Sequence, residues 1–84
     1  MSTVRAEGVR FRIYPQDHEP IHAHGRFAET VAVVELSAND EVRLANRADS
    51  LLPKNAKPSD VKKILRVAQD QYEAIVAAWE KMQR

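Results

Sequence analysis

Apolar and polar residues alternate strictly in two segments of the first third of the chain. Val9, Phe11 and Ile13 fall on one side of an extended segment, and the residues between them fall on the other. After a stretch rich in proline and turn-forming residues, the alternation resumes from Ile21 to Phe27. This pattern predicts two half-buried strands, which we expect to pair as an antiparallel β-hairpin over residues 9–27.

Two further strands are predicted downstream of the hairpin. Residues 30–36 are rich in valine and have apolar side chains at both parities, which is typical of a strand buried on both faces. Residues 41–45 alternate again after a turn. The stretch 46–57 is predicted to be a loop, because Pro53 and Asn55 interrupt its pattern.

The end of the chain has a different period. From Val61 to Met82, apolar residues recur every three or four positions and form one stripe. The proline at position 58, followed by serine and aspartate, is typical of a helix start. We therefore predict a single α+β domain over residues 1–84. Its small antiparallel sheet has three to four strands, and one long C-terminal helix (59–82) packs on one face.

Composition narrows the functional classes. The chain has 84 residues, no cysteine and a formal net charge of +1. Disulfides, thiolate metal sites and a cysteine nucleophile are therefore excluded. The small net charge makes nucleic acid an unexpected partner. Neither a leader-length apolar run at the N-terminus nor a membrane-spanning one is present, so we expect a cytoplasmic protein without membrane association.

The most distinctive segment contains all three histidines of the chain. His18, His22 and His24 lie close together in the sequence, and Asp17 and Glu19 flank the first of them. Neutral imidazoles are common ligands of zinc and related ions. We therefore predict His18, His22 and His24 as metal ligands, with zinc or another divalent metal as the cofactor.

The same segment also fits an anion site. In the predicted hairpin, three arginines share a face with His22 and His24, and guanidinium groups suit a phosphate or a carboxylate. A purely structural role remains open, because imidazoles in turns commonly bond to backbone groups. The predicted ligand-binding residues are Asp17, His18, His22, His24, Arg10, Arg12 and Arg26.

Catalytic motifs do not emerge from the pattern. The serines lie outside any nucleophile motif, and two glycines are too few for a phosphate-binding loop. No catalytic residue is assigned, and we do not expect an enzyme. The leading hypothesis is a binding module that uses its histidine-rich hairpin face for a metal or a small anionic ligand.

The histidine motif resembles that of a bacterial family catalogued as domain of unknown function forty-one sixty. The matching residues are Gly8, Tyr14, Asp17, His18, Pro20, His22 and His24. Ile21 and Ala23 depart from the family pattern, and Gln71 stands where many members carry a helical histidine.

The resemblance implies no established activity. Members look like compact domains that are often encoded beside another small domain. This arrangement implies a protein partner, as in two-gene toxin–antitoxin cassettes. A partner-binding module of that kind and a small hydrolase- or nuclease-like enzyme are the alternative functions.

Overall fold

The structure is a computed structural model that describes residues 2–15 and 21–82. Within these residues the fold is α+β, and an antiparallel sheet of six strands is covered on one face by two helices. The strands are β1 (Ser2–Ala6), β2 (Val9–Ile13), β3 (Ile21–Phe27), β4 (Thr30–Leu36), β5 (Val42–Leu44) and β6 (Leu51–Leu52). The helices are α1 (Pro58–Asp70) and α2 (Tyr72–Lys81).

Strands β1 to β5 lie side by side in chain order, and each pairs antiparallel with the next. The outer edge of β4 is shared, because β5 pairs with one end of it and β6 with the other. Val33 lies where the two partners meet. Its N–H donates to the Ser50 carbonyl at 2.8 Å, and its carbonyl accepts from the Ala45 N–H at 2.9 Å.

The prediction of three to four strands is wrong, because β1 and β6 also join the sheet. Strand β1 contains a single large apolar residue, Val4, so its alternation is too weak to be recognised from the sequence. Strand β6 has only two residues, Leu51 and Leu52, and lies within the stretch predicted as loop. Two adjacent leucines contain no period from which a strand can be inferred.

The prediction of one long helix is also wrong, because Gln71 separates α1 from α2. Its backbone angles, φ −103° and ψ 19°, lie outside the helical region. The hydrogen-bond ladder nevertheless continues: the Gln71 N–H donates to Val67 and the Ile75 N–H donates to Gln71, both at 2.9 Å. The apolar stripe therefore keeps its spacing through the break, and the pattern cannot reveal it. Helix α1 packs mainly over β3, β4 and β5, whereas α2 packs over β1, β2 and β3.

The hydrophobic core lies between the helices and the sheet. At Gly25 in β3, helix α1 and the sheet lie very close together. A Cβ atom at this position would stand 2.7 Å from Cγ2 of Ile64 on α1 and 2.8 Å from Cε1 of Phe11 on β2. The absence of a side chain at Gly25 therefore lets α1 pack directly against the strand. Residues that are fully buried in this layer include Phe11, Ile13, Ala23, Val34, Ile64, Val67 and Ile75.

Neither helix in the described part of the chain combines the length and the apolar character needed to cross a membrane.

Candidate anion-binding site

The sheet face opposite the helices carries the polar residues of the alternating strands. Strand β2 contributes Arg10 and Arg12 to it, and β3 contributes His22, His24 and Arg26. The register places Arg10 opposite Arg26 and Arg12 opposite His24. Arg5 on β1 and Arg43 on β5 extend the same face, because they pair with Arg10 and Glu35 respectively. We call the face made by these five arginines and two histidines the basic face.

The sequence-predicted ligand residues are thus brought together only in part. Arg10, Arg12, Arg26, His22 and His24 share the basic face. Asp17 and His18 lie outside the described residues.

Three arginines form a row across neighbouring strands. Arg5 is the register partner of Arg10, and Arg10 is the partner of Arg26. Directly opposed like charges destabilise a sheet, since their Cα atoms are only about 4.5–5.5 Å apart. None of the ion pairs among residues 2–15 and 21–82 involves these three side chains. The row is therefore a concentration of positive charge that the described carboxylates do not neutralise.

The carboxylate nearest this row in the sequence points elsewhere. Glu7, in the turn between β1 and β2, accepts from Arg66 on α1, with Oε1 and Nη2 3.0 Å apart. The guanidinium of Arg66 also bonds to Asp70 at 3.1 Å. This pairing links the turn to the helical layer and leaves Arg5 and Arg10 facing the opposite side of the sheet.

A cavity of about 140 Å³ opens on the basic face. At about 30 Å³ per water molecule in the liquid, it has room for one oxyanion and a few waters. Nε of Arg10 is buried and has no hydrogen-bond acceptor among the described residues. A buried donor without an acceptor costs about 1–3 kcal/mol, which a ligand oxygen would relieve. The lining residues are Arg10, Arg12, Tyr14, His24, Arg26 and Val31.

His24 forms one wall of this cavity together with Tyr14. Their ring centroids are 4.8 Å apart, and the rings meet edge to face at 68°. Burial of the imidazole lowers the pKa of His24 below 6.5, and the positive charge of Arg47 lowers it further. The imidazole is therefore neutral at physiological pH and presents one donor and one acceptor nitrogen.

The lowered pKa predicts a dependence of stability on pH. Because His24 binds a proton more weakly in the folded than in the unfolded chain, its contribution to the unfolding free energy rises with pH. The free energy of unfolding begins to rise near the lowered pKa of His24 in the folded chain. It stops rising near the pKa of 6.5 in the unfolded chain, and His24 causes no further change above that pH. Urea unfolding between about pH 5 and pH 7.5 measures this effect: the free energy of unfolding should rise more with pH for the wild type than for His24→Gln. An NMR titration that places the pKa of His24 at or above 6.5 would contradict it.

His22 lies in a different environment on the same face. Its Nε2 is 3.4 Å from Oε1 of Glu35, whose Oε2 accepts from Nε of Arg43 at 2.8 Å. Glu35 is thus shared between an imidazole and a guanidinium. Within residues 2–15 and 21–82, no group of three or more histidine, cysteine or acidic side chains could hold a metal ion. The predicted site formed by His18, His22 and His24 stays a prediction, because His18 is not described.

Sequence reasoning missed several residues of the site. Arg43 lies between the inward-facing Val42 and Leu44, so alternation contained the signal for it. Arg5 could not be found in this way, because alternation along β1 is weak and only the structure shows the positive φ angles at Glu7 and Gly8 that form a two-residue hairpin turn.

The loop residues near His24 had no such signal. Arg47 and Asp49, whose Nη2 and Oδ2 atoms are 3.0 Å apart, lie close enough to influence the charge of His24. They belong to the irregular stretch between β5 and β6, where no period relates position in the sequence to a side of the sheet.

Comparison with known protein families identified a match. The model of a family described as domain of unknown function (DUF4160) matches residues 8–80. The matched range contains every residue of the basic face except Arg5. Searches of curated proteins and of solved structures each found no match.

Proposed function

The chain belongs to this family, the domain of unknown function (DUF4160), and on that premise we propose that it is a binding module for a small anion of the phosphate class. The observation that carries the proposal is a cavity lined by Arg10, Arg12 and Arg26, of which Arg10 has a buried Nε without a described acceptor. A phosphate in this cavity would give the guanidinium group of Arg10 acceptor oxygens that the described residues do not supply to its Nε.

The chemistry of the cavity favours an oxyanion over a cation. Guanidinium groups present planar pairs of donors that match the oxygens of phosphate, and their charge does not depend on pH. Arg10, Arg12 and Arg26 would repel a divalent cation. Phosphate is favoured over a carboxylate, because it has more acceptor oxygens to distribute among three guanidinium groups.

An NMR titration with inorganic phosphate tests the proposal directly. We expect saturable shifts of the Arg10 Nε–Hε signal and of backbone amides along β2 and β3, with smaller effects on α1. The control is sodium chloride at the same ionic strength, which screens charge without supplying an oxyanion. Shifts that do not saturate, or that chloride reproduces, would show that the cavity is not a phosphate site.

Zinc titration separates the anion proposal from the predicted metal site. We expect the ring signals of His22 and His24 to stay in place at submillimolar zinc, because the guanidinium groups of Arg12 and Arg47 oppose a cation there. The variants His22→Gln and His24→Gln show which ring signal belongs to which histidine, and they also serve as controls. Stoichiometric shifts of both rings would instead support the metal prediction and count against the anion proposal.

A further inference from the structure

The positive charge of the basic face extends beyond the phosphate-sized cavity. Arg10 also lines a wider open depression of about 530 Å³ at the turn between β1 and β2, together with Arg5 and with Glu7, whose carboxylate is paired with Arg66. On the other side of the cavity, Arg47 lies near His24, and Arg43 follows on β5. Cationic side chains thus cross the sheet from its β1 edge to β5 rather than surrounding one point.

We propose that the basic face binds single-stranded nucleic acid, with one phosphate in the cavity lined by Arg10 and Arg26 and a neighbouring phosphate at Arg5. The inference rests on the proposed function, because the cavity phosphate becomes one unit of a polymer. Successive guanidinium groups on neighbouring strands offer successive sites to a chain that carries one negative charge per nucleotide.

The charge is segregated between the two faces of the sheet. Glu35 and Asp49, which lie on or beside the basic face, are each paired with an arginine, and Glu41 lies at the β5 end of this face. Glu7 and Asp70 pair with Arg66 on the helical side. The net charge of +1 averages over both sides and hides the excess of arginine on one of them. A local field of this kind is what attracts a polyanion.

The aromatic pair favours nucleic acid over an acidic peptide. Tyr14 and His24 meet edge to face within the cavity, which places ring surface beside the proposed phosphate position. Bases bound to an open sheet typically stack on such rings, two or three at a time. Five strands span about 19 Å at about 4.8 Å per interval, which is room for a few nucleotides.

A single strand fits this surface better than a duplex. Both helices pack on the opposite face of the sheet, so neither can enter a major groove from the basic face. An extended strand with unpaired bases can instead lie flat on the sheet.

The test measures anisotropy of a short fluorescein-labelled oligouridylate with wild type, Arg5→Gln and Lys62→Gln. Arg5 is exposed and lies outside the phosphate cavity, whereas Lys62 is exposed on α1. We expect Arg5→Gln to weaken oligouridylate binding about tenfold, as for one charged contact. The slope of log affinity against log salt should fall by about 0.7, the value for one phosphate of a single strand. Lys62→Gln should leave both quantities unchanged, and Arg5→Gln should bind inorganic phosphate like the wild type.

The possible failures are distinguishable. Saturable phosphate binding with no gain in affinity for oligouridylate would overturn this inference and leave the proposed function intact. Equal affinity for polyglutamate would show that any acidic polymer suffices, and would also overturn it. If neither phosphate nor oligouridylate binds, both proposals fall. Thermal unfolding of each variant confirms that the comparison is made between folded proteins.

Discussion

Replacement of Gly25 with alanine is expected to lower the free energy of unfolding by about 1–3 kcal/mol, the usual cost of overpacking a core. The added Cβ would stand 2.7 Å from Cγ2 of Ile64 and 2.8 Å from Cε1 of Phe11. Both neighbours are fully buried and cannot swing into solvent. Alanine would otherwise gain about 0.4–1 kcal/mol by restricting the unfolded chain, so a measured loss shows that the close approach dominates.

Urea and thermal unfolding measure this effect, and a second substitution identifies its cause. Ile64→Leu removes the Cγ2 methyl group, which is the nearer of the two clashes. The double variant Gly25→Ala/Ile64→Leu should therefore lose less stability than the sum of the single variants. A Gly25→Ala protein as stable as the wild type would mean that α1 does not lie as close to β3 as the structure shows.

Arg10→Met is expected to weaken phosphate binding by about tenfold or more. A hydrogen bond to a charged group contributes about 1.5–3 kcal/mol, and each 1.4 kcal/mol is a factor of about ten in affinity. Methionine retains the apolar stem that packs on the sheet and removes the guanidinium. Arg10→Lys is the matched control, because it keeps the charge but loses the planar pair of donors. We expect its affinity to fall between those of the wild type and Arg10→Met.

The stability of Arg10→Met tests whether Arg10 stabilises the fold by packing or serves to bind phosphate. Because Arg10 is flanked by Arg5 and Arg26 and its Nε has no described acceptor, its removal relieves repulsion and an unsatisfied donor. The variant should unfold at the same temperature as the wild type or at a higher one. A clear loss of stability, with phosphate binding retained, would show that Arg10 is a packing residue and would contradict the proposed function.

The parts of the fold that a sequence can predict are those in which many residues repeat one rule. Alternation along β2 and β3 decides the side of every residue, so Arg12 and His24 follow from Phe11 and Ala23. A single residue with non-helical backbone angles, such as Gln71, leaves no trace in the sequence pattern. The apolar stripe and the helical hydrogen bonds both continue across it.

The candidate site could likewise be predicted only where its residues lie on regular strands. Residues on regular strands could be assigned to a face, whereas the positions of Arg47 and Asp49 depend on the path of one loop. The burial of Arg10 Nε is a feature of the three-dimensional packing, which composition and spacing do not specify.

The way in which β5 and β6 divide the edge of β4 has a consequence for self-association. A sheet grows between molecules when a long, regular edge offers an uninterrupted row of backbone donors and acceptors. At β4 that row is already used by two short strands, and the Val33 backbone bonds to both flanking segments. The opposite edge, β1, is only five residues long and carries the charge of Arg5. Irregularity at one border and charge at the other therefore protect this small sheet from aggregating by strand addition.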